Sequence, residues 1–333
     1  MHFVVSANNE LQHDILHLAQ GRVHVVDTIS GGRHGLLSNF YPVLHSIKTL
    51  CQRLEPLAVV SLMPHIWSPL IGRALRRAGW PYVSIIHDAT AHPGDKFGLI
   101  NRWLLQDIGP ASLVVSLNPH VAESLGRSIS GRKQAHVTLF HPDMGAARSQ
   151  ERPSDSQLPL RLLFFGRIMR YKGLSLGIDA IIAARKLGST ATLAVFGDGE
   201  ISTDDRARLA AIGANVENRW IDDQEIAPIL AQHDVMFCPH IEASQSGVVA
   251  LAFGHGLPVI ASPVGGIRYQ ISPGVDGLLA TSVTADDLAA AILALDQDRP
   301  QLERMRQSLQ GSSTERSSDR FLDRLLDAIK TLH

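Results

Sequence analysis

The chain has few of the features that mark secreted, membrane-spanning or disulfide-bonded proteins. Among its 333 residues only Cys51 and Cys238 are cysteines, and no Cys-x-x-Cys pair occurs. This excludes a disulfide framework and predicts a reducing compartment. No apolar run reaches the roughly 18 residues of a membrane span, and the amino terminus lacks a basic stretch followed by an apolar one. We therefore expect a cytoplasmic protein.

The chain also has little net charge. The formal net charge is −1, with 45% hydrophobic and 19% charged residues, which is typical of a folded globular protein. Residues 1–150 contain 13 Lys and Arg against 9 Asp and Glu, and the remainder contains 18 against 23. The first half is only mildly basic and carries no recognition motif, so we do not expect nucleic acid to bind. This half carries Arg73, Arg76 and Arg77 close to Trp80. Such a group suits contact with the inner face of an anionic membrane, and the alternative is an ordinary solvated helix face.

Short apolar strands alternate with helical patterns along the chain, which predicts two parallel α/β domains. Strands are expected near 2–6, 23–27, 58–63, 82–86, 113–117 and 136–140, and again near 160–165, 191–196, 214–220, 235–239 and 258–261. The polar segment 146–159 contains two prolines and reads as a linker. The predicted organisation is a first domain over 1–145, the linker, a second domain over 160–310, and a carboxyl-terminal segment over 311–333 that ends in an amphipathic helix.

A strand-to-helix loop in the second domain carries two cations. Leu160–Phe165 is apolar, Gly173–Leu187 has helical spacing, and Gly166–Lys172 lies between them. Such a loop belongs at the carboxyl edge of a parallel sheet. The planar guanidinium of Arg167, the compact ammonium of Lys172 and the free N–H groups at the helix start would together hold a diphosphate. The alternative is a solvated basic turn.

A second segment further along the chain strengthens the diphosphate interpretation. Pro239–Val249, with the sequence PHIEASQSGVV, leads into Gly256–Gly266, with the sequence GLPVIASPVGG. With the Gly-Arg…Lys-Gly loop, these motifs resemble the retaining GT-B glycosyltransferases of family 4 over about residues 160–295. The resemblance implies two Rossmann-like, doubly wound parallel-sheet domains facing a cleft, with the last helix crossing back to the first domain. It also implies transfer of a sugar from a nucleotide-diphosphate sugar to an acceptor hydroxyl.

The resemblance assigns roles to several residues of the second domain. Arg167 and Lys172 would stabilise the leaving diphosphate, and Glu242 would contact the hydroxyls of the donor sugar. The family's second acid, which holds the ribose, is missing, because its position falls on Ala250 or Leu251. The nucleotide and the way in which its ribose is held therefore stay open.

The first domain matches the family more loosely. His87 directly follows the strand Tyr82–Ile86 and resembles the family's active-site histidine, which touches the donor sugar. Asp88 could orient this histidine, and His92 could meet the acceptor. His65 could line the acceptor pocket or be an ordinary loop histidine. Gly32 looks like part of the family's glycine loop near the diphosphate, but its segment follows the second predicted strand rather than the first, so a plain turn is the better explanation.

The candidate site combines both domains and contains no metal site, since Asp296-Gln297-Asp298 closes a helix rather than following a strand. The candidate catalytic residues are His87, Glu242, Arg167 and Lys172. The candidate substrate-binding residues are Gly166, Gly197, Gln245, Ser246, Gly247, Val248, Gly32, Asp88, His92 and His65. We expect no cofactor beyond a UDP- or GDP-sugar donor, and a glycan or polyprenyl-diphosphate-linked glycan as acceptor. The alternatives are a GT-B sugar-nucleotide epimerase and a degenerate transferase that only binds a partner enzyme.

Overall fold

The structure, a computed structural model, describes residues 1–7, 16, 21–28, 38–88, 102–129, 134–145 and 158–333. Within these ranges, strands alternate with helices over most of the chain, which ends in three consecutive helices. The described chain divides into two compact units. The first unit comprises Met1–Ile85, Arg102–Val114 and Ile329–His333, and the second comprises Ile86–Asn101 and Val115–Ala328, as far as these ranges are described.

The first half of the chain forms two small sheets. Its strands are β1 Phe3–Ser6, β2 Val23–Val26, β3 Val59–Ser61, β4 Tyr82–Ile86, β5 Leu113–Ser116 and β6 Ala135–Thr138. Its helices are α1 Phe40–Leu54, α2 Ser68–Arg77 and α3 Pro119–Ile129, and a 3-10 turn spans Leu105–Ile108. Strands β1 and β2 pair in parallel, and β3 to β6 lie side by side in chain order. His87 directly follows β4 and so lies at the carboxyl end of that strand, which is the end where parallel sheets bind ligands.

The second half forms one six-stranded sheet, here called the second sheet. Its strands are β7 Arg161–Phe165, β8 Thr192–Phe196, β9 Asn215–Glu217, β10 Val235–Cys238, β11 Val259–Ala261 and β12 Gly277–Leu279. Its helices are α4 Leu174–Lys186, α5 Thr203–Ala211, α6 Asp223–Ala231, α7 Gly247–Gly254, α8 Ile267–Gln270, α9 Ala285–Gln297, α10 Arg299–Gly311 and α11 Ser318–Lys330, with a 3-10 turn at Arg170–Lys172. All strand pairings are parallel, in the order β12-β11-β10-β7-β8-β9. This is the Rossmann order, with its switch point between β7 and β10.

Both faces of the second sheet are buried, as parallel sheets require. Successive residues of a strand point to opposite faces. Leu162 and Phe164 of β7 accordingly join a core with Ile178 of α4, and Leu163 joins a second core with Val249 of α7. The apolar run of β7 thus has no solvent-facing side, which explains why it is continuous rather than alternating.

The strands that we predicted from the sequence are present, and most are shorter than predicted; β4 has the predicted bounds, and β6 begins one residue earlier than predicted. Helix α1 starts at Phe40, and Pro42 is accommodated in its first turn. The edge strand β12, with three residues, was missed because so short a run has no period. Phe321 of α11 packs against Phe140, with ring centroids 5.9 Å apart. No helix in the described part of the chain is long and apolar enough to cross a membrane.

A buried carboxylate ties the start of the second sheet to α10. Asp234 precedes β10 and accepts hydrogen bonds from Arg161 Nε and Nη2, both at 2.9 Å, and from Arg306 Nη2, also at 2.9 Å. Burial alone would raise the pKa of Asp234, but the hydrogen bonds from Arg161 and the nearby charge of Arg306 outweigh it and lower the pKa. This carboxylate therefore stabilises the fold in its ionised form.

We predict that Asp234→Asn lowers the free energy of unfolding at neutral pH by about 3 kcal/mol, because it removes the buried carboxylate that pairs with the buried guanidinium of Arg306 and with the partly exposed Arg161. A carboxyl whose folded pKa is lowered gives stability above its unfolded pKa of about 3.9, and that stability is lost as the pH falls through the folded value. Urea unfolding from pH 7 downward should therefore show a shallower acid limb for Asp234→Asn than for wild type. Replacement of the exposed Asp319 by Asn is the control and should leave the limb unchanged. Identical limbs for wild type and Asp234→Asn would contradict this role.

Candidate functional site

The loops that follow β7 and β10 meet at the switch point of the second sheet. The backbone N–H of Ile241, after β10, donates to the carbonyl oxygen of Tyr171, after β7, at 2.8 Å. Gly173 lies against the Pro239 carbonyl, with no room for a Cβ. In doubly wound sheets ligands bind in the crevice outside this point, so the candidate site is built where the topology expects it.

The loop after β7 is also joined to the loop after β8. Gly166 has φ of 90°, and its N–H donates to the Phe196 carbonyl at 2.9 Å. A Cβ at Gly197 would run into the Gly166 carbonyl oxygen. Gly197 is one of the substrate-binding residues that we predicted from the sequence. What approaches Gly197 in the structure is the neighbouring loop, so its glycine is needed to pack the two loops together.

Lys172 and Arg167 place two cations on the same loop. Lys172 ends the 3-10 turn and is only 9% exposed, and its Nζ lies 3.2 Å from the position that a Cβ of Gly166 would occupy. Burial is the main cause that lowers the pKa of Lys172; Cys238 opposes this shift and the charge of Arg167 adds to it. Arg167 is exposed. Among the described residues neither cation pairs with a carboxylate. A desolvated ammonium without a counter-ion is costly, and an anionic ligand would satisfy it.

The loop after β10 is held by two neighbours. The N–H of Gly266 donates to the Ala243 carbonyl at 3.0 Å, and Asn118 Nδ2 donates to the Ser244 carbonyl at 2.9 Å. Glu242 lies half-buried on the same loop. We did not predict from the sequence that Asn118 contacts this loop. Its position before a proline is a visible start signal for α3, but nothing local reveals that its amide also holds a distant loop.

The start of α7 lies beside the Gly166 loop, since Val248 Cγ2 is 3.4 Å from the position of a Gly166 Cβ. Ser246 caps this helix with its hydroxyl. Its backbone N–H donates to Gln270 Oε1 at 2.8 Å and therefore already has an acceptor within the protein. The N–H groups of Gly247 and Val248 come first at the helix start without an acceptor among the described residues. With the helix dipole they favour an anion.

His87 follows β4 directly, as the sequence predicts, and contacts the loop after β10. Gln245 Nε2 lies 3.1 Å from His87 Nδ1. His141, also nearby, donates from Nδ1 to the Pro142 carbonyl at 2.8 Å. The pKa of His141 is lowered chiefly by burial, against the effect of that hydrogen bond, and the charge of His87 lowers it further. The second unit therefore contains a histidine beside the loop that carries Glu242.

Comparisons with known proteins agree with this geometry. Residues 159–298 match the family model described as Glycosyl transferases group 1. Over its whole length the chain superposes on a structure of Anabaena Alr3699/HepE in complex with UDP-glucose, with a TM-score of 0.70, 17% identity, and coverage of 99% of this chain and 100% of that one. The fold is that of the GT-B glycosyltransferases.

Curated relatives of this GT-B chain are glycosyltransferases too. It is 27% identical over 238 residues to a glycogen synthase of Mycobacterium tuberculosis, covering 66% of this chain and 55% of that protein. It is 29% identical over 150 residues to the amylovoran biosynthesis glycosyltransferase AmsK of Erwinia amylovora, covering 42% and 36%. The chain thus spans about half the length of the first relatives. These matches support a transferase enzyme.

Four other residues that we predicted from the sequence take no part in the contacts described above. His65 is in the first unit, where its Nδ1 accepts the Trp67 N–H at 3.3 Å and its ring packs edge-on against Trp67. Burial lowers the pKa of His65. Its contacts are those of a loop histidine that shapes the start of α2. Asp88 is exposed beside His87. Gly32 and His92 lie outside the described residues. The described residues contain no group of three or more His, Cys, Asp or Glu that could hold a metal ion.

We predict that Gly173→Ala destabilises the fold more than Gly188→Ala. Both glycines have positive φ, 72° and 95°, so either alanine costs about 1–2 kcal/mol of backbone strain. Only at Gly173 would the new Cβ also collide with the Pro239 carbonyl, whereas Gly188 faces open space. Denaturant unfolding should show a clearly larger loss of unfolding free energy for Gly173→Ala. Equal losses would mean that the two loops are not in tight contact.

Proposed function

We propose that the chain is a retaining, metal-independent glycosyltransferase of family 4. It transfers a sugar from a nucleotide-diphosphate sugar to a hydroxyl of a glycan or a lipid-linked glycan. The observation that carries this proposal is the pair Arg167 and Lys172, which have no carboxylate partner among the described residues and lie at the switch point of a Rossmann sheet. The UDP-glucose bound to the structurally similar Anabaena protein supports a nucleotide-sugar donor.

The two cations act on the leaving group. When the bond between sugar and diphosphate breaks, negative charge develops on the phosphate oxygens. Lys172 is fixed in a desolvated position before the reaction starts, so its charge acts at low dielectric without reorganisation. Arg167 provides a planar fork of donors from the exposed side. The N–H groups of Gly247 and Val248 add the positive end of the α7 dipole. This protein charge supports a mechanism that needs no metal ion.

Glu242 and His87 serve the sugar in this proposal. A carboxylate on the loop after β10 binds sugar hydroxyls and stabilises the positive charge that develops on the ring. His87 is brought to the same loop by its contact with Gln245. The ribose must be held by other groups, because Ala250 is 1% exposed and its carbonyl accepts the Met144 N–H at 3.1 Å.

We predict that Arg167→Ala and Lys172→Met each lower kcat/KM about a hundredfold, because each removes a donor that stabilises the departing charge. The donor would first be found by thermal shift with UDP-, GDP- and ADP-sugars, since a ligand at 100 times its Kd stabilises by about 2.7 kcal/mol. Lys186→Ala is the matched control, because this exposed lysine lies at the far end of α4. Wild-type kcat/KM in both loop variants would refute the phosphate role.

A catalytically degenerate transferase that only binds a partner is the second candidate. The observation that favours it is the absence of an acid at Ala250 and Leu251. A GT-B sugar-nucleotide epimerase is a third, which shares the phosphate loop. Incubation of wild-type protein with each nucleotide sugar distinguishes the three. Transfer or slow hydrolysis supports the transferase, a change of sugar configuration supports the epimerase, and binding without turnover supports the degenerate protein.

For the acceptor, we propose a lipid-linked glycan at the inner face of an anionic membrane. Arg73, Arg76 and Arg77 are all exposed on α2. Just before this helix Met63 is 70% exposed, and Leu70 in its first turn is 37% exposed. Cations beside exposed apolar side chains suit reversible attachment to anionic lipid, to which each Lys or Arg contributes about 1 kcal/mol.

We predict that the protein sediments with vesicles that contain anionic lipid at low salt and is released at high salt. Replacement of Arg73, Arg76 and Arg77 by Glu should abolish sedimentation and leave hydrolysis of the donor unchanged. The control replaces three exposed cations of the second unit by Glu, which changes the net charge equally: Lys186, Arg206 and Arg304. Wild-type protein that ignores these vesicles at every salt concentration would make a soluble acceptor the better proposal.

A further inference from the structure

The contact between Gln245 and His87 fixes where the imidazole carries its proton. Gln245 Nε2 lies 3.1 Å from His87 Nδ1, and the two residues are 158 positions apart in sequence. An amide nitrogen only donates hydrogen bonds, and a neutral imidazole has one donating and one accepting nitrogen. Nδ1 must therefore accept, and the proton of neutral His87 is on Nε2.

The orientation of the Gln245 amide follows from the surroundings of its oxygen. Oxygen and nitrogen of such an amide are assigned by their hydrogen bonds. Gln245 Oε1 is buried and has no partner among the described residues. If the amide were reversed, its two N–H donors would occupy that buried position instead. Buried N–H groups without acceptors are rarer in proteins than under-satisfied carbonyl oxygens, so the orientation that donates to His87 is favoured.

The amide is delivered to His87 by a loop whose backbone is fixed on both sides. Asn118 holds the carbonyl of Ser244 at 2.9 Å. Gln270 bonds both backbone groups of Ser246, accepting its N–H at 2.8 Å and donating to its carbonyl at 3.1 Å. The position of Gln245 thus does not depend on its own side chain, and substitutions of that side chain should leave the loop in place.

We propose that Gln245 is a positioning residue that holds His87 in the Nε2–H tautomer, so that the imidazole presents a hydrogen-bond donor to an oxygen of the donor sugar. The use of this donor rests on the proposed function, whereas the tautomer itself does not. His87 in this state donates a hydrogen bond and does not remove a proton through Nε2. The role differs from the direct substrate contact that the sequence suggested for Gln245.

The test is the tautomer of His87 in protein labelled with ¹⁵N-histidine. Long-range ¹H–¹⁵N spectra distinguish bare from protonated ring nitrogens, and a His87→Gln variant assigns the signal. Spectra are recorded about two pH units above the usual imidazole pKa of about 6.5, where histidine is neutral. We expect a bare Nδ1 and a protonated Nε2 in wild type. In Gln245→Glu the carboxylate can only accept, so the proton should move to Nδ1. Gln245→Met should give a mixture of tautomers.

The remaining histidines report on folding, since the chain has 16 in total and those far from the site should keep their signals. A wild-type His87 protonated at Nδ1 would overturn the proposal. So would a tautomer that is the same in wild type and Gln245→Glu. An unaltered thermal midpoint in both variants confirms that the loop still folds.

Kinetics separate a positioning role from ligand contact. Gln245→Met should lower kcat on the order of tenfold, the loss of one hydrogen bond in the transition state, with the Kd for UDP unchanged. Loss of UDP affinity in step with kcat would instead make Gln245 a direct ligand contact. If wild type shows the Nε2–H tautomer but no sugar transfer, the proposed function fails and the tautomer assignment stands. If wild type transfers sugar with His87 protonated at Nδ1, only the role of Gln245 fails.

Discussion

Three loops at the carboxyl edge of the second sheet touch each other through their backbones, and the arrangement of the candidate site depends on these contacts. Gly166 and Gly197 join the loops after β7 and β8, and Gly173 brings the loop after β7 against the Pro239 carbonyl after β10. Side chains at these positions would push the loops apart. The glycines of the motif thus act through the protein's own backbone. Lys172 is buried because the loops around it are this close.

The burial of Lys172 links stability to ligand binding. An ammonium group in a poorly solvated position without a counter-ion destabilises the free protein, and the lowered pKa of Lys172 expresses this cost. A bound diphosphate would supply the missing charge, so part of its binding free energy comes from relieving that cost. Asp234 shows the opposite arrangement in the same sheet, because its buried carboxylate is paired with the buried Arg306 and with the partly exposed Arg161. The buried charge of Asp234 is thus paired within the protein, whereas Lys172 and Arg167 at the switch point have no carboxylate partner among the described residues.

The sequence was informative where a signal is local. Apolar runs located the strands, and the segment from Gly166 to Lys172 was correctly predicted to link a strand to a helix, because both signals lie in consecutive residues. Partners that are distant in sequence could not be predicted. No periodicity shows that the Ser246 N–H is taken up by Gln270, 24 positions away, or that Gln245 meets His87. The same holds for Gly197, because no local sequence signal shows that the Gly166 carbonyl lies against it.

Helix α7 connects the candidate site to a second anchored region. It begins beside the Gly166 loop, and its eight residues span about 12 Å. In the middle of the helix the Ala250 carbonyl accepts the Met144 N–H, and the last residue of the helix, Gly254, lies against the Met144 carbonyl. The preceding residue, Asp143, is bound to Arg316 through both side chain and backbone. A rigid shift of α7 toward a bound anion would therefore either carry Met144 and Asp143 along with it or break the hydrogen bond from the Met144 N–H.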